Sequence, residues 1–184
     1  IREALKILKE RQLITLHIGE GAYINKPGDQ GVTEMLNRIV LMDNIKPENT
    51  FELRTILEVG ACRLVAEKSN TVDFQPLVEV NERMRTSKDD IDQRIALDME
   101  FHNTVARLSG NPLLELFQRS INNLIAPLIR TALLPLSGNE SGIRDHQMLI
   151  EAMRKGDADQ AVSLMSEHLR KSAQNYQDGE LRKE

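Results

Sequence analysis

Apolar positions recur every three to four residues along most of the chain, the spacing of helices that turn one face to a core. In IREALKILKERQ, residues 1–12, Ile1, Ala4, Leu5 and Leu8 fall on one such face. The next stretch breaks the rhythm. LITLHIGEGAYI, residues 13–24, sets two short β-prone runs on either side of Gly19-Glu20-Gly21, which predicts a small hairpin. Lys26-Pro27-Gly28-Asp29 reads as a linker, and helical periodicity then holds nearly to the end.

A short helix fits residues 32–42. Pro47 and Asn49, with Glu52 three residues on, mark the start of a long helix reaching about residue 68. Its expected inward positions are Leu53, Ile56, Leu57, Leu64 and Val65. Further helices fit about 72–84 and 90–108. Gly110-Asn111-Pro112 is a boundary at which glycine ends one helix, Asn caps the next and Pro takes its first turn. The helix that follows carries Leu114, Phe117, Ile121, Leu124 and Leu128, with Pro127 placed to bend it. PLSGNESG, residues 135–142, reads as a loop. Two closing helices fit 143–155 and 157–174, parted at Gly156-Asp157. The pattern predicts an all-α fold, an antiparallel helical bundle of six to seven helices with short connections. It divides into 1–27 as a separate module, 28–46 as linker and short helix, and 47–178 as the helical domain.

Composition narrows the classes. The chain has 184 residues, 40% hydrophobic but only 3% aromatic and without Trp, so its core must be aliphatic. No apolar run approaches the ~18 residues needed to span a bilayer. The single Cys62 offers no disulfide framework, and a reducing, cytoplasmic setting is expected. The net charge of −4 does not advertise a nucleic-acid binder. It is unevenly spread: residues 1–27 carry five basic and three acidic side chains, on an otherwise acidic body. The chain opens at Ile1 in mid-pattern, so residues upstream are expected.

The chemistry lies on the inward stripes. In LDMEFHNTVARL, residues 97–108, the stripe runs Ile91, Ile95, Asp98, His102, Val105, Ser109. Asp98 and His102 are four residues apart, so their side chains converge. His146 shares a stripe with Leu149, Ile150 and Met153, and His168 shares one with Ala161, Leu164, Met165 and Ser172. A polar group buried without a partner costs roughly 1–3 kcal/mol. Four on three helices of an aliphatic bundle therefore call for a common partner, and a divalent metal serves all four at once. Imidazoles with a carboxylate suit zinc foremost, with nickel, manganese or iron as alternatives. Ordinary buried hydrogen bonding is the competing reading. Arg54 could clamp a carboxylate at the core edge, although its spacing favours a pair with Glu58 on a solvated face. Asn122 and Asn123 could contact a ligand or face water. Cys62 reads as packing.

IREALKILKERQLITLHIGEGAYI resembles the end of the winged helix-turn-helix of the GntR family of bacterial transcription regulators, a VREAL-type helix end before a Gly-x-Gly wing. FELRTILEVGACRLVAE, DMEFHNTVARLSGNPLL and HQMLIEAMRKGDADQAVSLMSEHL resemble the FadR-type ligand-binding domain, FCD. The resemblance covers nearly the whole chain. It implies a winged helix-turn-helix followed by an all-α bundle. It also implies a metal held by one Asp and three His, which fall on Asp98, His102, His146 and His168. A small organic acid would coordinate that metal, with Arg54 gripping its carboxylate. Members form homodimers on palindromic operator DNA, where Arg2 and the wing glycines Gly19 and Gly21 match DNA-binding positions. Glu20 departs from a wing tip that is often basic, and an acid there repels phosphate. Most of the recognition helix lies outside this sequence, so the fragment alone is expected to bind DNA weakly or not at all.

The expected function is a metabolite-responsive transcriptional regulator, a repressor or an activator, and not an enzyme. The rival from another class is a helical-bundle metalloenzyme acting on a small carboxylate. It lacks a second acid–base group on these stripes and the Glu-x-x-His repeats of di-iron bundles. A metal-free sensor, in which the His cluster binds an acid directly, is a third reading.

Overall fold

The hairpin glycines set the geometry of the N-terminal module. In the computed structural model, which describes residues 1–11, 13–17, 19–24, 30–87, 90–133 and 139–182, helix α1 (Arg2–Glu10) leads into strands β1 (Ile14–His17) and β2 (Gly21–Ile24). The strands pair antiparallel, with Ile14 opposite Ile24 and His17 opposite Gly21. Gly19 (φ +83°) and Gly21 (φ +112°) occupy backbone that L side chains rarely adopt, so the turn depends on them. The linker expected at 26–29 lies outside the described residues.

Seven more α-helices follow among the described residues: α2 (Gln30–Met42), α3 (Pro47–Glu67), α4 (Gln75–Thr86), α5 (Ile91–Leu108), α6 (Pro112–Leu133), α7 (Asn139–Lys155) and α8 (Ala158–Leu181). This is the all-α bundle that the periodicity predicts. Helix α8 packs on α3, α6 and α7, and α5 packs on α3, α4 and α6. The main core draws Cys62, Val65, Leu77, Phe101, Leu149, Ile150, Met153 and Met165 into one aliphatic mass. A smaller cluster joins Ile95 of α5 to Ile121, Ile125 and Ile129 of α6, with Leu36 and Leu57 against it.

Several helix ends follow from local chemistry. Asp90 Oδ1 accepts from the Gln93 amide, Asn111 Oδ1 from the Leu113 and Leu114 amides, and Asp157 Oδ1 from the Gln160 amide. Each satisfies donors that a helix start leaves open. Gly110 and Gly156, at φ +72° and +73°, close the preceding helices.

Four expectations needed correction. Helix α3 begins at Pro47 with Lys46 before it, so Asn49 lies within the helix rather than capping it. Leu53 and Ile56, expected inside, are 43% and 70% exposed, while Arg54 and Glu58 take the inward face at 1% each. On α6 the buried row is Gln118, Ile121, Asn122, Ile125 and Ile129, and Phe117 is turned outward. In both helices polar partners across the bundle, described below, set the rotation. Finally, Asn139–Gly142 is the first turn of α7 rather than loop, because the Asn, Ser and Gly common at helix starts read like a loop. The rest of that expected loop, 135–138, lies outside the described residues.

Beyond residue 174 α8 continues to Leu181. It does so by close packing: a Cβ at Gly179 would come within 2.8 Å of the Thr131 carbonyl oxygen on α6. Contact between helices here outweighs the weak helix propensity of glycine.

Candidate metal and effector centre

Helices α5, α7 and α8 bring Asp98, His102, His146 and His168 together, one ligand atom from each lying within 4.8 Å of all the others. The three imidazoles are buried and the Asp98 side chain is 16% exposed. Asp98 Oδ2 lies 3.8 Å from His102 Nε2, and its Oδ1 lies 3.7 Å from His146 Nε2. His102 and His168 face each other through their Nε2 atoms at 3.4 Å.

The backs of two rings are held by carboxylates. His102 Nδ1 lies 2.5 Å from Glu58 Oε2, a short but poorly aligned contact. His168 Nδ1 lies 3.5 Å from Asp145 Oδ2, and Lys171 Nζ donates to that carboxylate at 3.2 and 3.4 Å. His146 is held by packing instead: Phe101 stacks flat on it at 3.8 Å, and neither of its ring nitrogens has a hydrogen-bond partner among the described residues.

Electrostatics favour the neutral forms of His146 and His168. Burial pushes the pKa of His146 well below the ordinary histidine value, and the charges of His168, His102 and Arg54 add to that. Burial also lowers His168, against the opposing pull of Asp145. Asp145 is lowered by its hydrogen bond to His168 and, further, by Lys171. Burial works to raise Glu58, but Arg54 and His102 outweigh it and bring its pKa to about 2.

This donor set fits a divalent cation. A carboxylate makes a proton on the facing Nδ1 favourable, which leaves each Nε2 as a lone pair. Two such lone pairs aimed at each other across 3.4 Å repel unless something positive joins them. The orphaned nitrogens of His146 point to the same need. Neutral imidazoles and an ionised carboxylate are what a transition metal selects.

Arg54 stands beside the cluster. Its Nε donates to Glu58 Oε1 at 2.7 Å, and its Nη2 lies 3.8 Å from Asp98 Oδ2. The pair with Glu58 thus forms as the spacing suggests, but in the interior rather than on a solvated face. Asn122 does not face water either. It is buried, accepts from Gln118 at 3.0 Å and donates to Asn103 at 2.9 Å. Asn123, by contrast, is exposed and donates to Thr33 Oγ1. Cys62 is packing: burial and the Glu58 charge raise its thiol to about 12, which leaves it inert as a nucleophile. In the N-terminal module, Arg2 on α1 and the hairpin glycines Gly19 and Gly21 are exposed, and His17 sits at the surface near Glu20. Sequence reasoning missed Asp145, Gln118 and the second role of Glu58. The only available signal was an acidic residue directly before His146.

The FCD domain model matches residues 49–171. The chain belongs to the FCD family. Among curated proteins it is 26% identical over 174 residues to the HTH-type transcriptional regulator LutR of Bacillus subtilis, covering 92% of this chain and 80% of LutR. It is 30% identical over 175 residues to the HTH-type transcriptional repressor NanR of Cronobacter sakazakii, covering 92% and 67%. Solved structures share the fold. Streptococcus agalactiae GntR superposes with a TM-score of 0.66 at 23% identity, over 92% of this chain and 78% of that one. A Zn2+-bound FCD domain gives 0.56 at 22% identity, over 71% and 91%, and its metal-free form 0.61 at 21%, over 73% and 94%. This FCD chain is that of a GntR-family transcriptional regulator, which sets aside the metalloenzyme reading. No described helix is long and apolar enough to cross a membrane.

Proposed function

We propose that this regulator senses a small organic acid through a divalent metal held by Asp98, His102, His146 and His168, with zinc the foremost candidate. A bound ion would supply positive charge and open positions for an anionic oxygen. Arg54 supplies a second cationic group, whose Nη2 already faces the cluster at Asp98. Asn122 contributes from behind, through Gln118. The observation that carries the reading is the convergence of four ligand atoms from three helices, with two of the rings backed by carboxylates.

In the complete protein, Arg2 and the wing around Gly19 and Gly21 contact operator DNA. Two copies form a homodimer in the cytoplasm, and effector binding alters the spacing of their reading heads. A coupling on the order of 1–3 kcal/mol between effector and DNA makes a usable switch. The action is repression, by likeness to the NanR repressors.

The test is a thermal-shift screen of small carboxylates on zinc-loaded and chelator-treated protein. A ligand specific to the native state raises the melting temperature. The expected result is a shift that needs both the metal and Arg54. A carboxylate that stabilises chelated protein equally well would instead support direct binding by the His cluster.

A further inference from the structure

We propose that Glu58 is a positioning residue of this centre, acting through His102 and locked in place by Arg54 and Gln118. The inference rests on the metal reading above. Hydrogen bonds from Arg54 and Gln118 and the close Nδ1 edge of His102, on three helices, meet on this one carboxylate, which is 1% exposed. Arg54 Nε of α3 donates to Oε1 at 2.7 Å, and Gln118 Nε2 of α6 donates to the same oxygen at 2.5 Å. His102 Nδ1 of α5 lies 2.5 Å from Oε2.

An ionised carboxylate only accepts hydrogen bonds. The imidazole edge facing it therefore carries its proton on Nδ1, and Nε2 is left as a lone pair directed at Asp98 and His168. The other oxygen fixes the carboxylate's rotation. Arg54 is gripped by its Nε, which leaves Nη2 aimed at Asp98. Gln118 also donates to Asn122, and Asn122 donates to Asn103 on the helix of His102. These amides run from Glu58 through α6 back to α5.

An amide in place of this carboxylate has one acceptor and one donor, against two donors on one side and the Nδ1 edge of His102 on the other. If its NH2 turned to Arg54 and Gln118, donor would meet donor. If it turned to His102, Nδ1 would have to accept, and the proton would move to Nε2, where it blocks ligation. Either arrangement degrades the centre without removing a ligand.

The experiment measures Zn2+ affinity by chelator competition for Glu58→Gln, in the wild-type background and in His102→Ala. Circular dichroism and melting curves confirm folding. The expected result is a loss of about 10- to 100-fold in the wild-type background, the usual range for groups behind a metal ligand, and no further loss once His102 is gone. Equal losses in both backgrounds would assign Glu58 a purely structural role and overturn the proposal. Unchanged affinity in Glu58→Gln would also overturn it while leaving the metal reading intact, whereas a wild-type chain that takes no zinc would overturn both. Should Glu58→Gln fail to fold, Glu58→Asp keeps the charge but retracts it by one methylene. It should show the same His102-dependent loss, and a loss independent of His102 would count against the proposal.

Discussion

His102 and His168, 66 residues apart in sequence, face each other through Nε2 at 3.4 Å while their Nδ1 atoms are turned to Glu58 and Asp145. Both rings are thus held from behind and open in front. On His168, whose Nδ1 lies 3.5 Å from its carboxylate, Asp145→Asn should weaken zinc binding by about tenfold, at the low end for such partners. Chelator competition measures it, and an affinity equal to wild type would show that Asp145 does not orient His168.

Arg54→Ala removes the cation nearest a fully buried carboxylate. Breaking a buried pair by deleting one partner costs about 3–5 kcal/mol. Gln118 and His102 remain on Glu58, so the lower end applies. Urea denaturation of metal-free protein measures the loss, and a change below about 1 kcal/mol would contradict the burial of this pair.

Two glycines make opposite predictions. Gly60 on α3 has open space where a Cβ would stand, with nothing within 4 Å, so Gly60→Ala should stabilise by roughly 0.5–1 kcal/mol, the ordinary helix preference. At Gly179 the Cβ would meet backbone, Thr131 O at 2.8 Å, which cannot swing away. Gly179→Ala should therefore destabilise, by about 1–3 kcal/mol, as overpacking does. Melting temperatures of the two variants should move in opposite directions.

The metal-free protein should lose stability as pH falls, in two stages. His146 and His168 have folded pKa values below the ordinary 6.5, so the unfolded chain takes up protons first and native stability declines once pH drops below about 6.5. Glu58 adds stability that is complete above its unfolded value of 4.5 and is lost between there and about pH 2. Chemical denaturation at a series of pH values checks the sign. Stability that rose on acidification from pH 7 to 5 would contradict the neutral, buried rings.

The convergence of Asp98, His102, His146 and His168 was legible because each interrupts an apolar stripe, and spacing along one helix is a local property. The groups behind them were not. Asp145 lies beside His146 in sequence yet serves His168 on another helix, a pairing that no periodicity displays. Arg54 was seen, but its burial was not: Leu53 and Ile56 offer the more apolar face, and only Asp98 and Gln118 across the bundle, pairing with Arg54 and Glu58, turn the charged side of α3 inward. The same amide network rotates α6, so that Gln118 and Asn122 lie inside and Phe117 outside. Helix number and most helix limits followed from caps and glycines. The first turn of α7 did not, because its residues are those of a loop.

A cation shared by three helices is the central claim, and the most direct test is the metal content of the purified chain after repletion with zinc, nickel, manganese or iron. Mass spectrometry should find one bound ion per wild-type chain, and a clearly reduced share in His102→Ala or His168→Ala that remain folded by circular dichroism. A folded wild-type chain without bound metal, or alanine variants that keep their full complement, would contradict it.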